Sequence, residues 1–459
     1  MMQLFEAANA IHARLFGLDA EFTSVGTDSR NVSKGQLFVA LKGEHFDGHD
    51  YAEQAITQGA AAVLVSNPNL RSEPALVVED TYQALAELAT YWRAKFAIPL
   101  IAVTGSSGKT TVKEMITAIL AEKAGSADAI HATVGNLNNH IGLPLTLLKL
   151  RATHQFSVLE MGMSHLGEID YLTHIAKPTV ALINNAGTAH IGEVGSRDNI
   201  AKAKGEIFAG LSDDGVAVIN ADDAYAGYWK TLNAGKKIVT FGQKYQADVS
   251  ATYEAQDGSS HVHLTTPQGD IDFKLNMLGA HNIGNALAAS AVAIALGVSN
   301  ADIARGLSHF GEIKGRLQRK PGLNGALVID DTYNANPDSM KAAIDVLAKF
   351  PGKKILVLGD MGELGEEAEN LHAEIGAYAK AAGLTSVYCL GELSVEIVRG
   401  FAANLEDTDA AHFATAEALV AAVKPILSSG VTVLVKGSRF MRMERVVALI
   451  TAEKNGEKH

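Results

Sequence analysis

Near-continuous apolar runs of four residues, at 100–103, 156–159, 180–183, 216–219 and 238–241, punctuate the middle of the chain. Stretches with apolar residues at three- and four-residue spacing separate them. Strands that are apolar on both faces, joined by amphipathic helices, predict a parallel sheet covered on both sides. Upstream, residues 1–97 alternate shorter strands (36–41, 61–65, 75–78) with helical stretches (51–58, 81–96). Downstream, residues 247–277 change to a period of two, with Val262 and Leu264 on one face and Asp257-Gly258 as the turn. That predicts an inserted antiparallel hairpin, and a helix resumes over 281–296. From Gly315 the alternation restarts, with strands at 326–329, 354–358, 386–390 and 431–435. The pattern predicts an α/β protein of three domains: 1–97, 98–314 and 315–459.

Composition narrows the class. A chain of 459 residues is too long for one core, and 43 glycines suit many tight strand–helix turns. The formal charge of -12 argues against nonspecific nucleic-acid binding, which needs a basic face. It leaves room for an anionic small substrate held by a few local cations. The single cysteine, Cys389, rules out an intramolecular disulfide and fits a reducing compartment. Glu6, His12 and Arg14 make the N-terminus an amphipathic helix rather than a signal peptide. The most apolar helical stretch, 286–298, is too short to span a bilayer. A soluble, cytoplasmic protein without membrane insertion is expected.

The chemistry is concentrated in Thr104-Gly105-Ser106-Ser107-Gly108-Lys109-Thr110-Thr111, between a buried strand and a helix. Strand, glycine loop, lysine, hydroxyl and helix is the layout of a phosphate-binding loop. Glycines let backbone N–H groups approach phosphate, Lys109 neutralises charge and the Thr110 hydroxyl suits magnesium. The longer G-x-x-x-x-G-K-[ST] form needs a glycine where Val103 stands, so only G-x-x-G-K-T is present. The stretch reads as an ATP site.

Other polar residues follow predicted strands, where parallel sheets bind ligands. Glu160 ends one strand and His190 follows another, both as metal candidates, although a lone Glu or His is more often ordinary. Lys202 and Lys204 read first as solvated helix lysines. Asn282 is placed as an N-cap, and Asn285, one turn on, as free to meet an adenine edge. Arg316 stands at a domain junction. Asp331, Tyr333, Asn334 and Asn336 lie between a strand and a helix, and Lys436, Ser438 and Arg439 end the last strand. The Asp28-Ser29-Arg30 and Asp47-Gly48-His49 clusters are equally explained as turn formers.

Together these residues resemble the Mur ligase family of ATP-dependent amide-forming enzymes, whose ATP loop also lacks the early glycine. The resemblance spans nearly the whole chain. The motifs Asp28-Ser29-Arg30, 135–142, Asp331-Thr332-Tyr333-Asn334-Ala335-Asn336-Pro337 and 358–365 are similar to the member that joins D-alanyl-D-alanine to UDP-N-acetylmuramoyl-tripeptide. No Asp-Asn-Pro-Arg tetrapeptide, the mark of the member adding the third amino acid, is present. The resemblance implies a UDP-substrate domain, a central parallel-sheet ATPase domain and a Rossmann-like C-terminal domain. Asp28, Ser29, Arg30, Asp47, Gly48 and His49 would hold the UDP end, and Asn136, Asn138 and Asn139 the peptide stem. Gly105 to Thr111 would bind ATP, with Asn282, Asn285, Arg316, Asp331 and Tyr333 on the nucleotide. Thr110, Glu160 and His190 would hold Mg2+, joined by Lys204 if it is carbamylated, as at this position in some members. Asn334, Asn336, Lys436, Ser438 and Arg439 would face the dipeptide. The implied enzyme is a monomer making the pentapeptide precursor of peptidoglycan, for the cell wall. A folylpolyglutamate-type ligase and an ATP-switch protein are the rival readings.

Overall fold

The computed structural model describes residues 1–67, 72–256, 258–402 and 410–452. The five apolar runs become the strands Leu100–Thr104, Phe156–Glu160, Val180–Ile183, Val216–Asn220 and Lys237–Phe241 of one parallel sheet. Ile130–Ala132 joins them at one edge, beside Phe156–Glu160. Its central residue is His131, so no apolar run marked it. Leu100–Thr104 lies inside the sheet, between Phe156–Glu160 and Val180–Ile183. The chain builds outward on both sides of it, which makes its carboxyl end the switch point where open α/β sheets bind ligands.

Every residue of Leu100–Thr104 is buried. Its period of two sends Leu100 and Ala102 into one core and Ile101 and Val103 into another. The second core packs the helices Lys109–Ala124, Ala280–Ala295 and Asn300–His309 on the sheet. The first core runs without a break into the N-terminal region, taking in Leu4, Leu37, Leu64, Leu76, Leu88 and Trp92. Trp92 Nε1 donates to the Leu150 carbonyl at 3.1 Å and Arg93 Nε to that of Ala176 at 3.1 Å. The N-terminal sheet has the order Arg14–Phe16, Ala75–Val77, Ala62–Val65, Gln36–Val39, Ser24–Gly26, and its last four strands are mutually parallel.

The expected hairpin is a three-stranded antiparallel meander of Ser250–Gln256, Ser259–Thr266 and Gly269–Leu275. The first of these strands is mostly exposed, so it shows no apolar alternation. Asp257 lies outside the described residues. Beyond Gly315 a second six-stranded sheet has the order Gln318–Pro321, Leu327–Asp331, Val431–Lys436, Lys353–Gly359, Ser386–Leu390, Ala410–Phe413. Only its first strand is antiparallel. The two strands without a sequence signal, Gln318–Pro321 and Ala410–Phe413, are its edges, where a continuous apolar run is not required. Among the described residues no helix is long and apolar enough to cross a membrane.

Candidate active site

The phosphate loop leaves Leu100–Thr104 and enters the helix Lys109–Ala124 at Gly108, whose φ of +77° favours glycine. A Cβ there would stand 2.5 Å from Asn285 Oδ1 and 2.7 Å from Asn184 Nδ2. The loop is pinned from the next strand end. Ser107 N–H donates to Asn185 Oδ1 at 2.9 Å, Asn184 Nδ2 to the Ser107 carbonyl at 3.0 Å, and Gly187 N–H to Ser106 Oγ at 2.9 Å. This corrects the expectation for the two helix asparagines. Gly279, not Asn282, caps Ala280–Ala295, and Asn282 donates to the Leu278 carbonyl at 2.7 Å. Asn285 receives Asn184 Nδ2 at 3.1 Å and donates to Asn282 Oδ1 at 2.9 Å, so its amide braces the loop.

Charge gathers around this loop. Lys109 Nζ rests on the Gly105 carbonyl at 2.6 Å. Burial pulls its pKa down, Glu160 and Glu363 oppose that, and Arg316 adds to it. Thr110 Oγ1 lies 3.4 Å from Glu160 Oε2, while Glu160 Oε1 is buried and lacks a hydrogen-bond partner among the described residues. Arg316 reaches Thr110 Oγ1 at 3.4 Å and stacks 4.2 Å above the Tyr333 ring. Lys204, on Arg197–Gly205, is 2% exposed. Burial, then repulsion from Lys109, holds it well below the ordinary lysine value. It makes no ion pair with Glu206, whose carboxylate instead accepts the backbone N–H groups of Gly167 and Asp170.

Two further residues face each other across the seam between the sheets. His190 (φ +64°) and Glu363 (φ +63°) both hold left-handed backbone. His190 Nδ1 lies 2.7 Å from Glu363 Oε2, an ion-pair contact rather than an aligned hydrogen bond. The seam is tied again where Thr188 N–H and Oγ1 donate to Asp338 Oδ2 at 2.8 and 2.9 Å. Asn336 caps the helix Pro337–Ala348 and reaches the Ser106 carbonyl at 3.5 Å.

Two cavities meet over the loop, both lined by Ser107, Gly108, Arg316 and Ser339. The smaller, about 260 Å³, takes in Asn184, Asp222, His281, Asn285, Asp331 and Lys436. The larger, about 970 Å³, takes in Lys109, Glu160, His190, Glu363, Tyr333 and Arg439 at one end. Asn136, Asn138, Asn139 and Tyr171 line it too. Asn139 Oδ1 also receives the Gly142 N–H at 2.9 Å. Lys436, expected on the dipeptide side, lines only the smaller cavity; it is buried, with Nζ 2.7 Å from Asp331 Oδ2 and 2.8 Å from the Asn334 carbonyl. Ser438 is likewise buried and ties the Ala335 carbonyl to the Gly362 N–H.

The N-terminal candidates line neither cavity. They sit at the carboxyl ends of parallel strands, where Arg30 Nε donates to Asp28 Oδ1 at 2.9 Å. Arg30 holds the Asp28 carboxyl well below its ordinary value. Asp47 Oδ1 lies 2.6 Å from His49 Nδ1, and His49 Nε2 accepts the Ser66 N–H at 2.9 Å. Sequence reasoning gave no role to Asn184, Asn185, Asp338 or Glu363. Paired asparagines after an apolar strand were the available signal for the first two; nothing local marked the others.

The description "Mur ligase family, catalytic domain" matches residues 21–93, "Mur ligase middle domain" residues 103–293, and "Mur ligase, glutamate ligase domain" residues 315–439. The chain belongs to the Mur ligase family. It is 41% identical to the UDP-N-acetylmuramoyl-tripeptide–D-alanyl-D-alanine ligase of Escherichia coli K12, over 99% of this chain and 98% of that protein. A crystal structure of MurF from Acinetobacter baumannii superimposes with a TM-score of 0.90 at 38% identity, covering 97% of each chain. The MurF ligase of Thermotoga maritima in complex with ADP gives 0.82 at 30% identity, over 93% of this chain and 96% of that one.

Proposed function

We propose that this chain is an ATP-dependent ligase that joins D-alanyl-D-alanine to UDP-N-acetylmuramoyl-tripeptide, making the pentapeptide precursor of peptidoglycan in the cytoplasm. The observation that carries this is a phosphate loop at a sheet switch point, roofed by a second domain and opening into a long polar cavity. Full-length identity to ligases of that name supplies the substrates. The expected roles are those of three domains: residues 1–97 hold the UDP end, 98–314 the ATP, and 315–459 the nucleotide's far side and the dipeptide.

Lys109 holds the transferring phosphate while the tripeptide carboxylate attacks it, giving an acyl phosphate and ADP. Phosphoryl transfer depends chiefly on positioning and charge neutralisation, which Lys109 on the loop and Arg316, reaching Thr110 from the domain junction, provide. The dipeptide amine then attacks the acyl carbon, and phosphate leaves. Closure of the three domains over the site would keep water from the acyl phosphate in the interval.

The donors present suit magnesium: a hydroxyl beside a carboxylate with one buried oxygen unsatisfied, a hard-oxygen set that leaves room for phosphate and water. Thr110 and Glu160 would hold it, with His190 and Lys204 completing the sites, and it supplies charge neutralisation at the phosphates. Lys204 serves as a carbamate in this reading. A neutral amine adds to carbon dioxide, forming an N–C bond and releasing one proton, and burial beside Lys109 favours the neutral amine.

ADP release measured with the UDP-tripeptide, with and without D-alanyl-D-alanine, tests the proposal. Dependence on both substrates is expected. ADP release that ignores the dipeptide would select an ATP switch, and release driven by glutamate and a folate the folylpolyglutamate type.

A further inference from the structure

Resting on the ligase reading above, we infer that Glu363 is the residue that holds the amino group of the incoming dipeptide. The acceptor amine reaches the site as an ammonium and has to be placed beside the carboxyl carbon at Lys109 and Thr110. An ammonium in a cavity walled by lysine and arginine requires a fixed anion. Among the described residues, the carboxylates lining the larger cavity are Glu160, Glu168 and Glu363.

Two of the three are already committed. Glu160 is 1% exposed and stands against Thr110 at the end of its strand. Glu168 spends Oε2 on the backbone N–H groups of Ser164 and His165, at 2.6 and 3.1 Å. Glu363 has a contact too, Oε2 with His190 Nδ1 at 2.7 Å, but its side chain is 49% exposed and lines the cavity, so it can still meet a ligand. Among the described residues it is also the only carboxylate that the segment after Gly315 brings to this cavity. Arg439, from the same segment, lines the cavity with it, its exposed guanidinium oriented by Glu444 at 2.7 Å. One fixed anion and one fixed cation are what a zwitterionic dipeptide needs.

The backbone shows that this position is held deliberately. Glu363 keeps a left-handed φ without being glycine, a conformation that persists only where the surroundings impose it. The imposing contact is backbone against backbone. Gly192 N–H donates to the Glu363 carbonyl at 3.1 Å, and a Cβ on Gly192 would stand 2.2 Å from the Gly365 nitrogen. Only two glycines allow that approach. It sets Glu363 against His190 and over the loop, where an ammonium is wanted.

The test compares two acyl acceptors in the intact enzyme. D-alanyl-D-alanine arrives charged; hydroxylamine, which intercepts acyl phosphates as a hydroxamate, is uncharged at neutral pH. In Glu363→Gln the KM for D-alanyl-D-alanine should rise about tenfold or more, since an ion-paired hydrogen bond is lost. The KM for the UDP-tripeptide should rise far less than that for the dipeptide, and hydroxamate formation should fall far less than ligation. Glu363→Asp, which keeps the charge, should recover part of the dipeptide affinity. Equal loss with both acceptors would overturn the inference, because Glu363 would then act on phosphoryl transfer through His190. An unchanged dipeptide KM would overturn it as well. Absence of ligation by the unsubstituted chain would instead strike the ligase reading itself.

Discussion

The protein presents two carboxyl edges of parallel strands to ligand, and they are built on opposite electrostatic terms. At the N-terminal edge each charge has its partner in place: Arg30 with Asp28, and His49 between Asp47 and Ser66. At the central edge charge is buried and left wanting. Among the described residues Lys204 lies unpaired near Lys109, Glu160 Oε1 lacks a donor, and Arg316 Nε is buried without an acceptor. A site that only recognises a ligand tolerates internal satisfaction, which the ligand exchanges for its own contacts. A site that transfers a phosphoryl group keeps its charges unsatisfied, so that the transition state is what completes them.

The largest expected effect falls on the unsatisfied edge. Lys109→Ala should reduce ligation by on the order of a hundredfold or more, the usual loss for a group at the transferring phosphate. Its melting temperature should stay near that of the unsubstituted chain, since Lys109 Nζ rests on a single carbonyl. Residual activity above about a tenth would contradict its role.

Lys204→Ala should follow, with activity lower by about ten- to a hundredfold, the range seen when a group supporting a metal is lost. Short carboxylic acids in the buffer should restore part of it by supplying the missing oxygens. Full activity in the alanine variant would remove the carbamate from the mechanism. On the satisfied edge, Arg30→Ala should raise the KM for the UDP-tripeptide about tenfold, one charge-assisted contact, and leave kcat alone. A fall in kcat without a KM change would erase the distinction between the two edges.

The smallest effect lies beneath the central sheet. His131 is buried between Ser157 Oγ and the Thr146 carbonyl, at 2.9 Å each. Burial pushes its pKa down to about 4 from 6.5. Between those values the unfolded chain binds a proton that the folded chain does not, so stability falls as pH drops through that window. The difference in urea midpoint between pH 7 and pH 4.5 should therefore be smaller in His131→Asn than in the unsubstituted chain.

The central strands were legible because burial on both faces writes itself as apolar runs, and the phosphate loop because its glycines and lysine are contiguous. Edge strands such as Gln318–Pro321 carry no such run, and their pairing comes from the neighbour's backbone. The candidate site was legible only where its residues act locally. Asn285 read as a helix residue with a free amide because its partner Asn184 lies 101 positions away. Lys436 read only as a cation at a strand end because nothing nearby in sequence announced its partner Asp331. Glu363 sat inside a recognised stretch, but a carboxylate acquires a role only from what faces it, and His190 comes from another domain.

The unbroken core shared by the N-terminal region and the central sheet bears on how the chain is made. Leu4, Leu37 and Leu64 bury against a cluster that also needs Ile183, Ile219 and Trp229. As the nascent protein leaves the ribosome, the first hundred residues carry their own helices, Leu4–Ala10 and Thr81–Arg93, in the core on one face of their sheet, but the side of that layer that meets the central domain is uncovered. The other face closes early, since Phe38, Val63, Ala52 and Ala55 suffice for it. The uncovered side waits for the central-domain residues of the same cluster to follow, from Leu100 onward. During that interval it is an apolar surface open to a chaperone or to a neighbouring nascent chain, the stage at which long proteins are most exposed to misassembly.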